Sequence, residues 1–134
     1  LETIVKTQAK DCSMALKILT IDDEASITKL LSILLGSYGM EVITANTGKD
    51  GVRLARTESP DLVLLDIMMP EMSGLEVSQA IRSFSNVPIL AFSALSSPQE
   101  IAKALNAGIN DFLEKPSSSE ILVAHIHQLT TAKG

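Results

Sequence analysis

The sequence predicts an α/β fold: a parallel sheet of five strands, doubly wound, with helices on both faces. Three observations predict it. Short apolar runs rich in β-branched residues alternate strictly with helical patterns, five of each. The run Leu62-Val63-Leu64-Leu65 is apolar at consecutive positions, as in a strand buried on both faces. Strands separated by helices need right-handed crossovers, and these make neighbouring strands parallel.

The first strand is expected over Ala15–Ile21, which is mostly apolar and ends at Asp22-Asp23-Glu24. From Ala25, apolar residues recur at helical spacing: Ile27, Leu30, Leu31, Leu34, Leu35 and Tyr38. They predict a helix with these residues inside, ended by Gly36 and Gly39. Glu41–Ala45 is a shorter, more polar second strand, suited to a sheet edge. Thr47 is placed to cap a helix running to about Glu58, with Val52 and Ala55 as a thin apolar face. Ser59-Pro60 breaks it.

The third strand runs into Asp66 and a loop punctuated by Pro70 and Gly74. A third helix then buries Leu75, Val77, Ala80, Ile81 and Phe84. Val87–Ser93 is a fourth strand, with Pro88 at its start, where a missing N–H is tolerated. Ser97-Pro98-Gln99-Glu100 has the chemistry of a helix start. That helix carries Ile101, Ala104 and Leu105, ends near Gly108, and reads as the least apolar of the set. Asp111–Glu114 is a very short fifth strand. Ser117-Ser118-Ser119-Glu120 caps a last helix that turns Ile121, Leu122, Ile126 and Leu129 inward. His125 and His127, two residues apart, fall on different faces of that helix and read as surface or flank residues.

The chain has 134 residues, a size that suits one domain with a substantial core. Its apolar runs are too short to cross a membrane, and its start lacks the features of a signal peptide. The single cysteine, Cys12, excludes an intramolecular disulfide and a Cys-cluster metal site. A net charge of −5 without a basic cluster, and 3% aromatic residues, argue against direct nucleic-acid binding. A cytoplasmic protein fits best. Residues 1–14, which begin at Leu1, read as a tail or linker before a folded domain over 15–131, with 132–134 as a C-terminal tail.

In a parallel sheet every strand's carboxyl end lies on one edge, where open α/β sheets hold their ligands. Four of those ends carry polar groups: Asp22 with Asp23, then Asp66, Ser93 and Lys115. Each has a plainer explanation alone. Asp22 or Asp23 suits a helix N-cap, Asp66 a turn or cap, Ser93 a turn hydroxyl, and Lys115 a solvated surface lysine. Their joint placement on one edge is harder to explain that way. Three converging carboxylates repel unless a cation joins them. Mg²⁺ fits, being hard and content with carboxylates, waters and a phosphate. Without Cys ligands, and with both histidines on the last helix, zinc or copper does not fit. A carboxylate beside a cation, a lysine and a hydroxyl is suited to accept a phosphoryl group as an acyl phosphate.

Four motifs in order carry a family resemblance over about residues 15–130. They are Lys-Ile-Leu-Thr-Ile-Asp-Asp-Glu (17–24), Leu-Leu-Asp-Ile-Met-Met-Pro-Glu-Met-Ser-Gly (64–74), Phe-Ser-Ala (92–94) and Phe-Leu-Glu-Lys-Pro (112–116). The chain resembles the receiver domain of two-component response regulators, of the chemotaxis-Y-like type. The resemblance implies a flavodoxin-like sheet in the order 2-1-3-4-5. It implies that Asp66 is the phosphoacceptor and that Asp22, Asp23, Asp66 and the backbone carbonyl of Met68 hold Mg²⁺. Ser93 and Lys115 would contact the phosphoryl group, Ser93 and Phe112 would form the switch, and the Lys115–Pro116 bond would be cis.

Position 93 is Ser and position 112 is Phe where the family's commonest pattern has Thr and Tyr. Ser lacks the methyl that fixes a rotamer, and Phe must hold its inward state by packing alone. Met68 and Leu95, two residues beyond Asp66 and Ser93, are both apolar and cannot orient an attacking water. In the family these positions tune dephosphorylation, so slow self-dephosphorylation is expected.

The implied partners are a sensor histidine kinase or histidine phosphotransfer protein, and a downstream target or effector domain. They meet a surface formed by the fourth helix, fifth strand and last helix; a phosphorylation-dependent homodimer is a further expectation. The implied role is signalling, with autocatalysed phosphorylation and dephosphorylation as the only chemistry. A phosphohydrolase would carry Asp-x-Asp at the nucleophile, whereas Asp66 is followed by Ile67-Met68. A docking module would not need the acids with Ser93 and Lys115. A flavin-binding domain would not set three acids after its first strand.

Overall fold

The computed structural model describes residues 15–94 and 97–131. Within them the elements alternate as β1 (Lys17–Ile21), α1 (Ala25–Gly36), β2 (Glu41–Ala45), α2 (Gly48–Glu58), β3 (Leu62–Leu65), α3 (Gly74–Arg82), β4 (Ile89–Ser93), α4 (Pro98–Asn106), β5 (Asp111–Glu114) and α5 (Ser119–Thr131). One sheet holds all five strands in the order β2-β1-β3-β4-β5. Every pairing is parallel. The doubly wound fold, its strand order and the edge position of β2 are therefore as expected.

Side chains alternate between the two sheet faces, so each strand feeds two cores. Leu19, Ile21, Val63, Leu65, Ile89 and Ala91 pack with Val77 and Ile81 of α3, Ala55 of α2 and Ala104 of α4. Ile18, Leu62, Leu64, Leu90 and Phe92 pack with Leu31 and Leu35 of α1 and Leu122, Val123 and Ile126 of α5. β3 is buried along its whole length, which is why its sequence does not alternate. Each fully buried Leu or Ile here contributes about 1.5–3 kcal/mol relative to exposure.

Three readings of helix faces are corrected. Leu30 is 57% exposed while Thr28 is buried with Leu31 and Leu35. A step of about 100° per residue sets Thr28, Leu31 and Leu35 on one arc and carries Leu30 off it. Tyr38 is also exposed and lies past the helix end, where helical spacing no longer applies. On α5, Val123 rather than Ile121 joins Leu122 and Ile126 inside. Of the apolar residues named on α4, Ala104 is buried and Leu105 is exposed. α4 is not the most polar helix, since α2 carries five charged residues and α4 two. It does bury the fewest residues.

Capping follows the expected chemistry. Thr47, Ser73 and Ser97 each accept an N–H from three residues on, and Ser73 with Glu76 forms a full capping box. Ser118 accepts the Ile121 N–H at the start of α5. β1 starts at Lys17 rather than Ala15, and β4 at Ile89, after Pro88. Pro88 still serves the sheet through its carbonyl, which accepts the Val63 N–H. The helix break at Ser59 is sharp, with φ of 47°.

Arg82 fastens the end of α3 to the loop before β5. Its guanidinium donates to the Gly108 carbonyl at 3.0 Å, the Ser85 carbonyl at 3.2 Å and Asn110 Oδ1 at 2.8 Å. Partial burial depresses its basicity. Arg82→Met keeps the packing of the stem and removes these donors. The expected loss is about 2 kcal/mol, because charged donors are worth more than neutral ones. An unchanged denaturant midpoint would refute that role.

Candidate functional site

The carboxyl ends of β1, β3, β4 and β5 meet at one cleft. It encloses about 300 Å³ and is lined by Asp23, Glu24, Asp66, Met68, Ser93, Ala94 and Lys115. Asp22 leaves β1 buried, at 3% exposure. Its Oδ1 accepts the Glu24 N–H at 3.0 Å, and its Oδ2 accepts Lys115 Nζ at 2.7 Å. Neither Asp22 nor Asp23 caps α1, because the N-cap position is Glu24. The reading of Lys115 as merely solvated also fails, since its ammonium is tied to Asp22.

Asp66 prolongs β3 by one hydrogen bond, its N–H donating to the Ile21 carbonyl at 2.9 Å. Its side chain accepts the Met68 N–H at 3.3 Å. Carboxylate oxygens of Asp22, Asp23 and Asp66 all lie within 4.8 Å of one another. Burial, and next the Asp22 charge, hold the Asp66 carboxyl above its usual range. Lys115, the Met68 N–H and the Ser93 hydroxyl oppose that shift. Ser93 Oγ is fully buried yet makes no hydrogen bond of ordinary length among the described residues.

Two loops set this geometry. After β3, the Gly74 N–H donates to the Ile67 carbonyl at 2.9 Å. A Cβ at Gly74 would lie 2.5 Å from the Asp66 carbonyl oxygen and 2.7 Å from Ile67 Cα, so only glycine fits this close approach. After β5, the Lys115 N–H donates to the Ser93 carbonyl at 2.8 Å, and the Lys115–Pro116 bond is cis.

One residue that the sequence patterns do not single out has a larger part. Asn46 Nδ2 donates to the Asp22 carbonyl at 2.8 Å and to Thr28 Oγ1 at 3.0 Å. It fixes the backbone that aims Asp22. Its position right after a strand was the only signal, and many turn asparagines share that.

Phe112 sits half-buried against the α2–α3–α4 core, paired across the sheet with Ala91. Ser93 lies two residues beyond Ala91 and projects from the same face. The Met68 side chain is 58% exposed at the cleft mouth. Leu95 falls outside the described residues, as do residues 1–14 and 132–134. His125 is a flank residue with a partner, its Nδ1 lying 2.7 Å from Asp111 Oδ2, and His127 is exposed.

The family model described as response regulator receiver domain matches residues 18–127. The chain belongs to this family. It is similar to the "Probable transcriptional regulator ycf27" of Guillardia theta, with 43% identity over 110 residues, 82% of this chain and 43% of that protein. It thus spans less than half the length of that relative. Among solved structures it is similar to the chemotaxis protein CheY4 of Vibrio cholerae, with a TM-score of 0.80 and 30% identity, covering 86% of this chain and 98% of that one. It is also similar to the BeF3-activated N-terminal receiver domain of RstA from Klebsiella pneumoniae, with a TM-score of 0.81 and 28% identity, covering 85% and 97%.

This receiver domain is a phosphoacceptor of two-component signalling. Receiver domains bind Mg²⁺ in an acidic pocket, are phosphorylated by histidine kinases and act on effector domains. Among the described residues, no helix is long and apolar enough to cross a membrane.

Proposed function

We propose that Asp66 is the phosphoacceptor, that Asp22, Asp23, Asp66 and the Met68 carbonyl hold Mg²⁺, and that Ser93, Lys115 and Phe112 read the result. One observation carries this reading. Three carboxylates converge beside a lysine and a buried hydroxyl that makes no hydrogen bond of ordinary length among the described residues. The donor set is oxygen throughout, and hard donors suit Mg²⁺. When bound, the ion would neutralise charge on the carboxylates and on the oxygens of the transferring phosphoryl group.

In the transfer, an Asp66 carboxylate oxygen attacks phosphorus. The bond from phosphorus to the donor's imidazole nitrogen, or to the oxygen of a small acyl phosphate, breaks with its electron pair. Ser93 Oγ donates to one phosphoryl oxygen, which gives that buried hydroxyl a close partner. Lys115 Nζ, now on Asp22, pairs with another oxygen. The added charge, roughly −1.5 to −2, draws Ser93 and Lys115 inward. Phe112 then turns toward the small Ala91 side and the space beside Ser93. The thinly anchored α4 shifts with it, and the α4–β5–α5 surface changes for its partner.

The donor is a histidine kinase or a phosphotransfer protein, and the receiver spans residues 15–131 between tails of unassigned role. The output is an effector domain, a separate target or a phosphorylation-dependent homodimer. The domain catalyses only its own phosphorylation and dephosphorylation.

The test is a titration with beryllofluoride, a phosphoryl mimic, followed by amide chemical shifts and sedimentation. Saturable shifts at Ser93, Phe112 and α4 that require Mg²⁺ are expected. Shifts independent of Mg²⁺, or confined to the far sheet edge, would overturn the assignment. A second expectation concerns lifetime. With apolar Met68 and Leu95 the aspartyl phosphate should outlast that of Met68→Asn/Leu95→Glu, read by loss of the phosphorylated mass. Equal or faster decay in the parent would count against it.

A further inference from the structure

A small void of about 10 Å³ lies beneath the acidic cleft, on the α1 face of the sheet. Its walls are Thr20, Asp22, Leu31, Leu64, Asp66 and Phe92, with two further core residues, and every one of them is buried. Thr20 Oγ1 is the other buried side-chain oxygen, besides Ser93 Oγ, that finds no hydrogen-bond partner among the described residues. Thr20, on β1, stands two residues before Asp22 and on the same face, with Leu64 as its neighbour on β3. A valine would fill the same volume without a buried hydroxyl to satisfy. A volume of this size is about that of one probe sphere, enough for one water with two to four polar partners. Thr20, Asp22 and Asp66 are the residues with polar side chains that line it.

We infer that Thr20 is a positioning residue for the acidic site, holding one buried water that hydrogen-bonds the carboxylates of Asp22 and Asp66 from below. The hydroxyl and the water form a floor that fixes how the carboxylate planes face the cleft. Asp22 is already held from the other sides by the Glu24 N–H and Lys115 Nζ. The Asp66 carboxylate is held less closely, by the long Met68 N–H contact with the Ser93 hydroxyl and Lys115 nearby, so a floor matters most for its orientation. The inference rests on the assignment of Asp22 and Asp66 to the phosphorylation site.

The test compares the parent with Thr20→Val and Thr20→Ser. Mg²⁺ affinity is measured by calorimetry, phosphoryl uptake from a small acyl phosphate by mass, and the thermal midpoint in Mg²⁺-free buffer. Loss of an outer-shell support typically weakens metal binding, so Thr20→Val is expected to bind Mg²⁺ about tenfold more weakly and take up phosphoryl more slowly. Its midpoint should not fall, and Thr20→Ser should restore both functions to within about twofold, since its hydroxyl can hold the same water. If Thr20→Val matches the parent in affinity and uptake, the hydroxyl is only a poorly placed core group and the inference fails. A high-resolution crystal structure of the parent gives a reading independent of function. An ordered water within hydrogen-bond distance of Thr20 Oγ1 and a carboxylate is expected, and its absence overturns the inference. Failure of the parent itself to take up phosphoryl groups would instead overturn the assignment of Asp66, with that water still visible.

Discussion

Asp66→Asn is expected to abolish phosphoryl uptake from a small acyl phosphate in Mg²⁺. The amide lacks the anionic oxygen that attacks phosphorus, and it removes one of the charges that would hold the cation. Uptake undiminished in the variant would sink the assignment. The same substitution should act on stability in the opposite sense. Burial and Asp22 raise the Asp66 carboxyl above its ordinary range. An acid whose folded-state pKa is raised binds its proton more tightly when folded, so its ionised form opposes folding. Without Mg²⁺ at neutral pH, Asp66→Asn should therefore be more stable than the parent. The gap should narrow as pH falls through the raised pKa toward the unfolded value, because the parent then protonates. Denaturant unfolding of both proteins across that range checks the sign, and a gap that widens toward acid would refute it.

Gly74→Ala should be the most damaging conservative change near the site. Its Cβ would meet backbone atoms of Asp66 and Ile67, which cannot swing away as a side chain can. Either the loop after β3 opens or α3 shifts along the sheet. The expected destabilisation is about 2–3 kcal/mol, as for overpacking in a tight core. Displacing Asp66 by about 1 Å should also slow phosphoryl uptake on the order of a hundredfold. Both effects are measurable separately, the first by urea unfolding and the second by uptake rate under folding conditions. A variant of parental stability and rate would show that the loop tolerates the methyl group.

The alternation of strands and helices, the edge strand β2 and the gathering of polar groups at one sheet edge follow from sequence patterns that need only local geometry. The period of two in strands and 3.6 in helices, with caps such as Thr47, Ser73 and Ser97, fixes elements before any packing is known. The polar residues at the strand ends could be named for the same reason, since a carboxyl-terminal strand position in a parallel sheet has a known direction, whereas Met68 and Phe112 entered only through the family resemblance. Helix faces were less accessible. Leu30, Tyr38, Ile121 and Leu105 are apolar at plausible spacing, yet they are exposed. A helix with a broad apolar arc does not itself say which residues of that arc meet the sheet.

By itself the sequence determined the doubly wound fold, the family motifs and the residues that gather at the strand ends. Only the tertiary structure decided how those residues are held. The pairing of Lys115 with Asp22 spans 93 positions, and the bond from Asn46 to the Asp22 backbone spans 24. The fit of Gly74 against Asp66, the buried hydroxyls of Ser93 and Thr20, and the void beside Thr20 belong to the same class. Local propensity depends on residues a few positions apart. These contacts depend on distances across the sheet, which exist only once every strand has found its register.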